Sequence, residues 1–270
     1  MLRPTLLLVA ASAAGCGPPK APEEINALSR FLYREWANPD PKVMEDGVAK
    51  LELLLAKLGL SPEGGARSYE LTPLTVDDLK TIERPPNADP GKCMASAVAR
   101  ESAWGIRDHA RLQVSPEQLE IEPSATAYTR KFTEPADPAC FVDRKCPQIA
   151  TENNLSRKNA LLEITYILYK RFRWVKLGPT GDRWAMVSRS YSNRAWPDEK
   201  SSTALMQSYT LELWIPRDNG VTWRYQAPYS EQRLNVEADR GLQLAVVTSA
   251  IDGAFRAADE VIGKRYYPNR

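Results

Sequence analysis

Two runs of alternating side chains flank an Asn-Gly turn between Tyr209 and Tyr229, and they constrain the fold more strongly than any other feature of the chain. Apolar and polar residues alternate through both runs, which is the period of half-buried β-strands. Asn219 and Gly220 are residue types that tolerate the positive φ of a tight turn. The segment therefore predicts a β-hairpin with one apolar face. That face carries Tyr209, Leu211, Leu213, Ile215, Val221, Trp223, Tyr225 and Tyr229.

Further strand signals precede this hairpin. Leu161 to Leu177 carries β-branched and aromatic residues at period two and predicts a long strand, with Trp174 on its apolar face. A Gly-Pro-Thr-Gly turn leads from it into a second predicted strand, Arg183 to Tyr191. A shorter strand is predicted over Tyr128 to Phe132. Met94 to Trp104 is predicted to be a helix.

Helical periodicity marks both ends of the chain outside its first residues. Apolar residues recur at helical spacing from Ile25 to Trp36 and, after a Pro-containing breaker, from Val43 to Leu58. These two runs predict a helical hairpin. Val236 to about Lys264 predicts one long helix with Ile251 and Phe255 on its apolar stripe.

The order of these elements predicts an α+β fold: an N-terminal helical hairpin, an antiparallel β-sheet and a long C-terminal helix. We divide the chain into a signal peptide over 1–15, a lipidated cysteine and tether over 16–24, the helical hairpin over 25–66 and an α+β domain over 67–270. From about Tyr69 to Lys264 the topology resembles the helix-grip arrangement of START-type lipid-binding domains. The resemblance implies a curved sheet that wraps a terminal helix around an apolar cavity.

Eight aromatic and aliphatic residues are candidates for lining such a cavity, with Trp223 and Tyr225 facing Ile251 and Phe255. The candidates are Trp174, Tyr209, Leu211, Leu213, Trp223, Tyr225, Ile251 and Phe255. The same residue types also build solid cores. Two hypotheses therefore stay open: a module that binds a lipid or other apolar ligand, and a structural or assembly-partner protein without a ligand.

The first residues predict export from the cytoplasm. Arg3 precedes an apolar run, LLLVAASAA, whose last small residues are followed by Gly15 and Cys16, as in a secretory signal. Small residues directly before a cysteine resemble the lipobox of bacterial lipoproteins, in which the cysteine becomes the acylated N-terminus, although Ala13 stands where such motifs usually carry Leu. The alternative is ordinary signal cleavage before Cys16, which would leave Cys16 free to form a disulfide.

The remaining cysteines bear on the same choice. Cys140 and Cys146 bracket a five-residue loop, so we pair them in a disulfide. Lipidation of Cys16 then leaves Cys93 as a buried thiol. Without lipidation, four cysteines would form two bridges in an oxidising compartment.

A second resemblance covers most of the chain after the leader. The sequences CFVDRKC, ENNL, RFRWV, SYTLELWIPRDNG and WRYQA resemble a group of bacterial envelope lipoproteins. The resemblance implies an envelope protein anchored to a membrane by lipid and brings no established activity. In enteric-type bacteria, an Asp directly after the lipidated cysteine retains such proteins in the inner membrane. This chain has Gly17 at that position, so the implied location is the periplasmic face of the outer membrane.

Composition and motifs weigh against several other classes of function. The 36 basic and 34 acidic residues nearly balance, which predicts no field for nucleic acid. The chain has no GxSxG, HExxH, phosphate-loop or GxGxxG motif. Its single histidine, His109, is interpreted as a surface or loop residue, although a Cys93–His109 nucleophile pair is a weaker alternative. We therefore expect no enzyme activity, no metal and no cofactor.

Overall fold

The computed structural model describes residues 17–158, 163–178, 180–235 and 239–269. Its strands are β1 (Arg67–Glu70), β2 (Met94–Ser102), β3 (Ala125–Glu134), β4 (Gln148–Lys158), β5 (Glu163–Leu177), β6 (Arg183–Tyr191), β7 (Ala204–Pro216) and β8 (Thr222–Arg233). Its α-helices are α1 (Ile25–Arg34), α2 (Pro41–Ala56), α3 (Ile106–Gln113), α4 (Ala139–Val142) and α5 (Arg240–Tyr266). The strands form one antiparallel sheet in the order β1-β2-β8-β7-β6-β5-β4-β3. The predicted α+β class is confirmed.

The predicted hairpin is the β7–β8 pair. Its turn closes through the Arg217 amide, which donates to the Val221 carbonyl over 2.9 Å. Gly220 has a φ of 80°, a conformation that a side chain would strain. Local turn chemistry and alternation therefore predicted this part of the sheet correctly.

The helix predicted for Met94 to Trp104 is wrong, because residues 94–102 form the strand β2. Alanine favours helices in isolation, but tertiary pairing overrides that preference here. β2 pairs with β8, and Ala95, Ala97 and Ala99 are fully buried on one of its faces. These three alanines belong to the hydrophobic cluster that also contains residues of the N-terminal helices.

We call the side of the sheet that packs on α1 and α2 the N-terminal face. One continuous hydrophobic cluster joins these helices to alternate residues of β2 and β5–β8. The Tyr33 hydroxyl donates to the Ser190 carbonyl over 3.0 Å, and the Trp36 indole donates to the Val187 carbonyl over 3.3 Å. At Gly47 a Cβ would stand 2.7 Å from the Leu32 side chain, so α1 and α2 cross at a distance only glycine permits.

We call the opposite side, which packs on α3 and α5, the C-terminal face. Asp239 caps α5 by accepting a hydrogen bond from the Leu242 amide over 2.8 Å. The C-terminal half of α5 buries Phe255 and Ile262, whereas the side chains of residues 240–250 are half-buried or exposed. The proposed division at residues 66 and 67 stays a prediction; α1 and α2 share one hydrophobic cluster with the sheet.

Candidate ligand cavity

A cavity of about 140 Å³ lies between the N-terminal half of α5 and the C-terminal face of the sheet. Its walls are residues of β4 to β8, Tyr128 of β3 and the segment that precedes β3. α5 forms the roof with side chains three or four residues apart, as one helical face requires. The roof consists of Gln243, Val246, Val247, Ala250, Ile251 and Ala254.

One end of the cavity is apolar. Side chains from β4, β5 and β7 cluster there, and they are Leu155, Ile164, Tyr166, Leu168 and Leu205. Leu205 reaches this face because a register shift between Leu205 and Gln207 reverses the alternation of β7. A β-bulge thus places an apolar side chain beside the polar residues Ser208, Thr210 and Glu212 of the same strand face.

The floor of the cavity is polar. β6, β7 and β8 contribute hydroxyl, amide and carboxylate groups at alternate positions, and these residues are Ser190, Ser208, Thr210, Glu212, Gln226 and Ser230. Ser190 is only 1% exposed, and its Oγ has no hydrogen-bond partner within the described part of the chain. A buried hydroxyl without a partner is costly, and in the described part of the cavity wall only the Arg157 Nε shares this state.

The charged groups of the lining form two ion pairs. Lys170 Nζ lies 2.8 and 2.9 Å from the two carboxylate oxygens of Glu212, and Arg157 bonds the Glu122 carboxylate. Burial lowers the pKa of the Lys170 ammonium, while the Glu212 carboxylate acts in the opposite direction. The Lys170 ammonium also lies 4.9 Å from the centre of the Phe172 ring. Each charge therefore has its counter-charge within the cavity wall.

Of the eight residues predicted to line a cavity, only Ile251 does so. Five lie on the N-terminal face, packed in the cluster around α1 and α2, and they are Tyr209, Leu211, Leu213, Trp223 and Tyr225. The predicted contact of Trp223 and Tyr225 with Ile251 and Phe255 is therefore wrong. The apolar face of the hairpin was expected to meet the C-terminal helix, but the N-terminal helices cover it.

The other two candidates lie on the C-terminal side, beside the cavity. Trp174 stacks on Phe141 with ring centres 5.1 Å apart, and its indole donates to the Phe141 carbonyl over 2.8 Å. Phe255 packs with Ile251 and Val98, and the Arg224 guanidinium stands 4.1 Å from its ring centre. Both residues support the fold around the cavity.

The polar floor was missed because polar alternate positions were expected to face solvent. One sequence signal distinguishes it. A solvated strand face is usually rich in charge, whereas Ser208, Thr210, Gln226 and Ser230 are small or neutral. Hydroxyl and amide groups at alternate positions of neighbouring strands therefore indicate a covered polar face.

The structure pairs Cys140 with Cys146 in a disulfide, as the sequence predicted. Cys93 is a buried thiol, and burial raises its pKa. Cys16, the proposed lipidation site, lies outside the described residues.

His109 is fully buried, so its interpretation as a surface residue is wrong. Its Nε2 lies 2.9 Å from the Ser102 Oγ, which donates to Asp259 over 2.7 Å. The hydroxyl stands between imidazole and carboxylate, whereas a catalytic triad places the imidazole in the middle. Cys93 packs on the N-terminal face and His109 on the C-terminal side, so they form no nucleophile pair.

The described residues contain no group of three or more His, Cys, Asp or Glu side chains arranged to hold a metal ion. In the same part of the chain, no helix combines the length and apolar character needed to cross a membrane.

No protein-family model matches the chain, and neither does any curated protein. Solved structures with a similar course include a STAR-related lipid transfer protein from Xanthomonas axonopodis, at 13% identity and a TM-score of 0.46, over 76% of this chain and 97% of that one. Human StAR-related lipid transfer protein 5 is similar at 8% identity and a TM-score of 0.43, over 83% and 97%. The Zhui aromatase/cyclase from Streptomyces sp. R1128 is similar at 13% identity and a TM-score of 0.40, over 64% and 95%. The chain is thus similar in fold to StAR-related lipid transfer proteins and to an aromatase/cyclase.

Proposed function

We propose that this protein is a non-enzymatic binding protein that holds an apolar or amphipathic small molecule beneath α5. The observation that carries the proposal is the cavity itself, with its apolar end, its polar floor and the unpartnered Ser190 hydroxyl. The competing candidate is a structural or assembly-partner protein whose core takes no ligand.

The size of the cavity limits what it holds without rearrangement. A dry apolar cavity of about 150 Å³ binds benzene. The present cavity is about 140 Å³, so a ligand moiety of one ring or a short branched chain fits it. A longer molecule would extend past α5, whose N-terminal half is only half-buried.

A matched pair of helix substitutions tests whether the cavity binds. Ala250 faces the cavity, whereas Ala245 on the same helix is exposed. Thermal unfolding is measured with and without toluene for wild type, Ala250→Phe and Ala245→Phe. We expect toluene to raise the melting temperature of wild type and Ala245→Phe by mass action and to leave Ala250→Phe unchanged. Absence of a toluene-dependent shift in wild type would favour the protein with a solid core.

Native mass spectrometry of the protein as purified complements the melts. A bound molecule that copurifies with wild type and with Ala245→Phe, and is lost from Ala250→Phe, would identify a natural occupant. Equal adduct masses in all three proteins would place that molecule outside the cavity.

We also propose that the protein is anchored by lipid on Cys16 at the periplasmic face of the outer membrane. The proposal rests on the apolar leader, on the small residues before Cys16 and on the Pro-containing segment that follows. Detergent phase partitioning of wild type and Cys16→Ser tests it. Wild type should enter the detergent phase and Cys16→Ser should remain unprocessed or aqueous. If wild type and Cys16→Ser are both fully processed and partition equally, the proposed lipid anchor on Cys16 is contradicted.

A further inference from the structure

The cavity wall is electrically balanced. Its charged described residues are the Lys170–Glu212 and Arg157–Glu122 pairs, and each pair is closed by a direct contact. The Lys170 and Glu212 side chains are only 9% and 14% exposed. An ionised ligand would lose hydration on entry and find no free counter-charge among these groups, which disfavours it strongly.

Two buried side-chain atoms of the described wall have no hydrogen-bond partner, the Ser190 Oγ and the Arg157 Nε, and the Arg157 charge is already balanced by Glu122. Ser190 Oγ is buried, faces the cavity and has no partner within the described residues. The Ser190 hydroxyl can donate one hydrogen bond and can also accept hydrogen bonds. It can therefore bond either an alcohol or an amide of a ligand. Its backbone carbonyl is fixed from the other face of the sheet by the Tyr33 hydroxyl.

We propose that the cavity selects an uncharged, compact amphiphile: an alcohol or amide on an aromatic or alicyclic group. The ring lies against the apolar end and α5, and the polar group bonds Ser190. Carboxylates, phosphates and ammonium ions are excluded. This inference rests on the proposed binding function and specifies the ligand class of the same cavity.

Four probes of nearly equal size separate ligand charge from ligand shape. Toluene, benzyl alcohol, benzoate and benzylammonium each carry one phenyl ring. Their affinities for the full protein are measured at pH 7.5 by ligand-observed NMR titration. We expect benzyl alcohol to bind at least about 10-fold more tightly than either ion, because the ions lose hydration without compensation.

Two serines on β6 provide matched variants. Ser188 lies two residues from Ser190 on the same face, is also buried and also has an unpartnered Oγ, but it does not line the cavity. Ser190→Ala should weaken benzyl alcohol about 3- to 10-fold, the worth of one hydrogen bond, and leave toluene unchanged. Ser188→Ala should leave both affinities unchanged. Because neither hydroxyl has a partner to lose, both variants should fold.

The possible outcomes separate this inference from the binding function. Preference for benzyl alcohol over both ions, reduced about 3- to 10-fold in Ser190→Ala and unchanged in Ser188→Ala, supports the assignment. Binding of toluene together with equal or tighter binding of benzoate or benzylammonium overturns the ligand class but preserves the cavity. An equal loss of benzyl alcohol affinity in both serine variants also overturns the role of Ser190. Absence of binding by all four probes overturns the proposed function and the inference with it.

Discussion

The two faces of the sheet are built from alternate residues of the same strands, yet they differ in packing. On β7, Leu211 and Leu213 face α1 and α2 in a continuous core, whereas Thr210 and Glu212 face α5 and a cavity. The N-terminal face joins aromatic rings edge to face, as Tyr33 does with Tyr209 at 6.2 Å. The two faces therefore differ in how completely they are packed: one is a continuous core, and the other encloses a cavity.

The two faces also differ in how many of their buried polar side chains have a hydrogen-bond partner. On the N-terminal face the Tyr33 and Trp36 side chains donate to strand carbonyls, although the Tyr229 hydroxyl is unpartnered. On the C-terminal face, hydroxyls at Ser188, Ser190 and Thr222 are buried without partners among the described residues. Only Ser190 of these three lines the cavity, so the unpartnered hydroxyls of Ser188 and Thr222 do not depend on a ligand there.

The largest expected contrast comes from two leucines of β7. Leu211→Ala removes a fully buried side chain from the N-terminal core and should lower the free energy of unfolding by about 4 kcal/mol. Leu205→Ala removes a side chain that already borders the cavity and should cost about 2 kcal/mol, because some packing contacts are missing in wild type. Urea denaturation measures both values. Equal losses of unfolding free energy in the two variants would contradict the difference in packing between the two faces.

The next contrast concerns the buried ion pair. Glu212→Gln leaves the Lys170 ammonium without its carboxylate in a nearly dry site and should cost about 3 kcal/mol. The double variant Lys170→Met with Glu212→Leu removes both charges and should lie within about 1 kcal/mol of wild type. The same denaturation experiment measures this coupling. A double variant as unstable as Glu212→Gln would show that the pair itself stabilises the C-terminal face.

A smaller effect depends on pH. Burial, and secondarily the nearby Arg224 charge, holds the pKa of His109 well below its ordinary value. The unfolded chain therefore gains a proton on His109 below about pH 6.5 that the folded chain does not, so stability falls as pH falls. Between pH 7.5 and pH 5.0, wild type should lose about 2 kcal/mol more than His109→Gln, which keeps a donor toward Ser102.

The chain has one histidine, so the difference between wild type and His109→Gln isolates that group. Burial raises the pKa of Asp259, which opposes the histidine effect because an ionised Asp259 is disfavoured in the folded state. Equal pH dependence in the two proteins would mean that His109 is charged in the fold.

Local signals predicted the elements well where they were strong. The alternation and Asn-Gly turn of residues 209–229 predicted β7 and β8, and helical spacing predicted α1, α2 and most of α5. The prediction for Met94 to Ser102 was wrong because its alanines favour a helix locally. The segment is a strand because it pairs with β8. That pairing is a property of the whole sheet.

The site was harder to predict because alternation defines two faces without saying what covers each. Leu211 and Thr210 were assigned correctly to opposite sides of β7, and the error lay in pairing the apolar side with α5. Two helical elements compete for the sheet, and both have apolar stripes. Alternation alone assigns Leu205 to the wrong face of the sheet, because the β-bulge between Leu205 and Gln207 reverses which face its side chain points to.

The most direct test of the account is the location of a bound apolar probe. Intermolecular NOEs are measured between toluene and the protein with labelled Ile, Leu and Val methyl groups. We predict NOEs to Ile164, Leu205 and Val247 around the cavity and none to Leu211 or Val187 on the N-terminal face. NOEs to Leu211 or Val187 without any to the cavity methyl groups would contradict it.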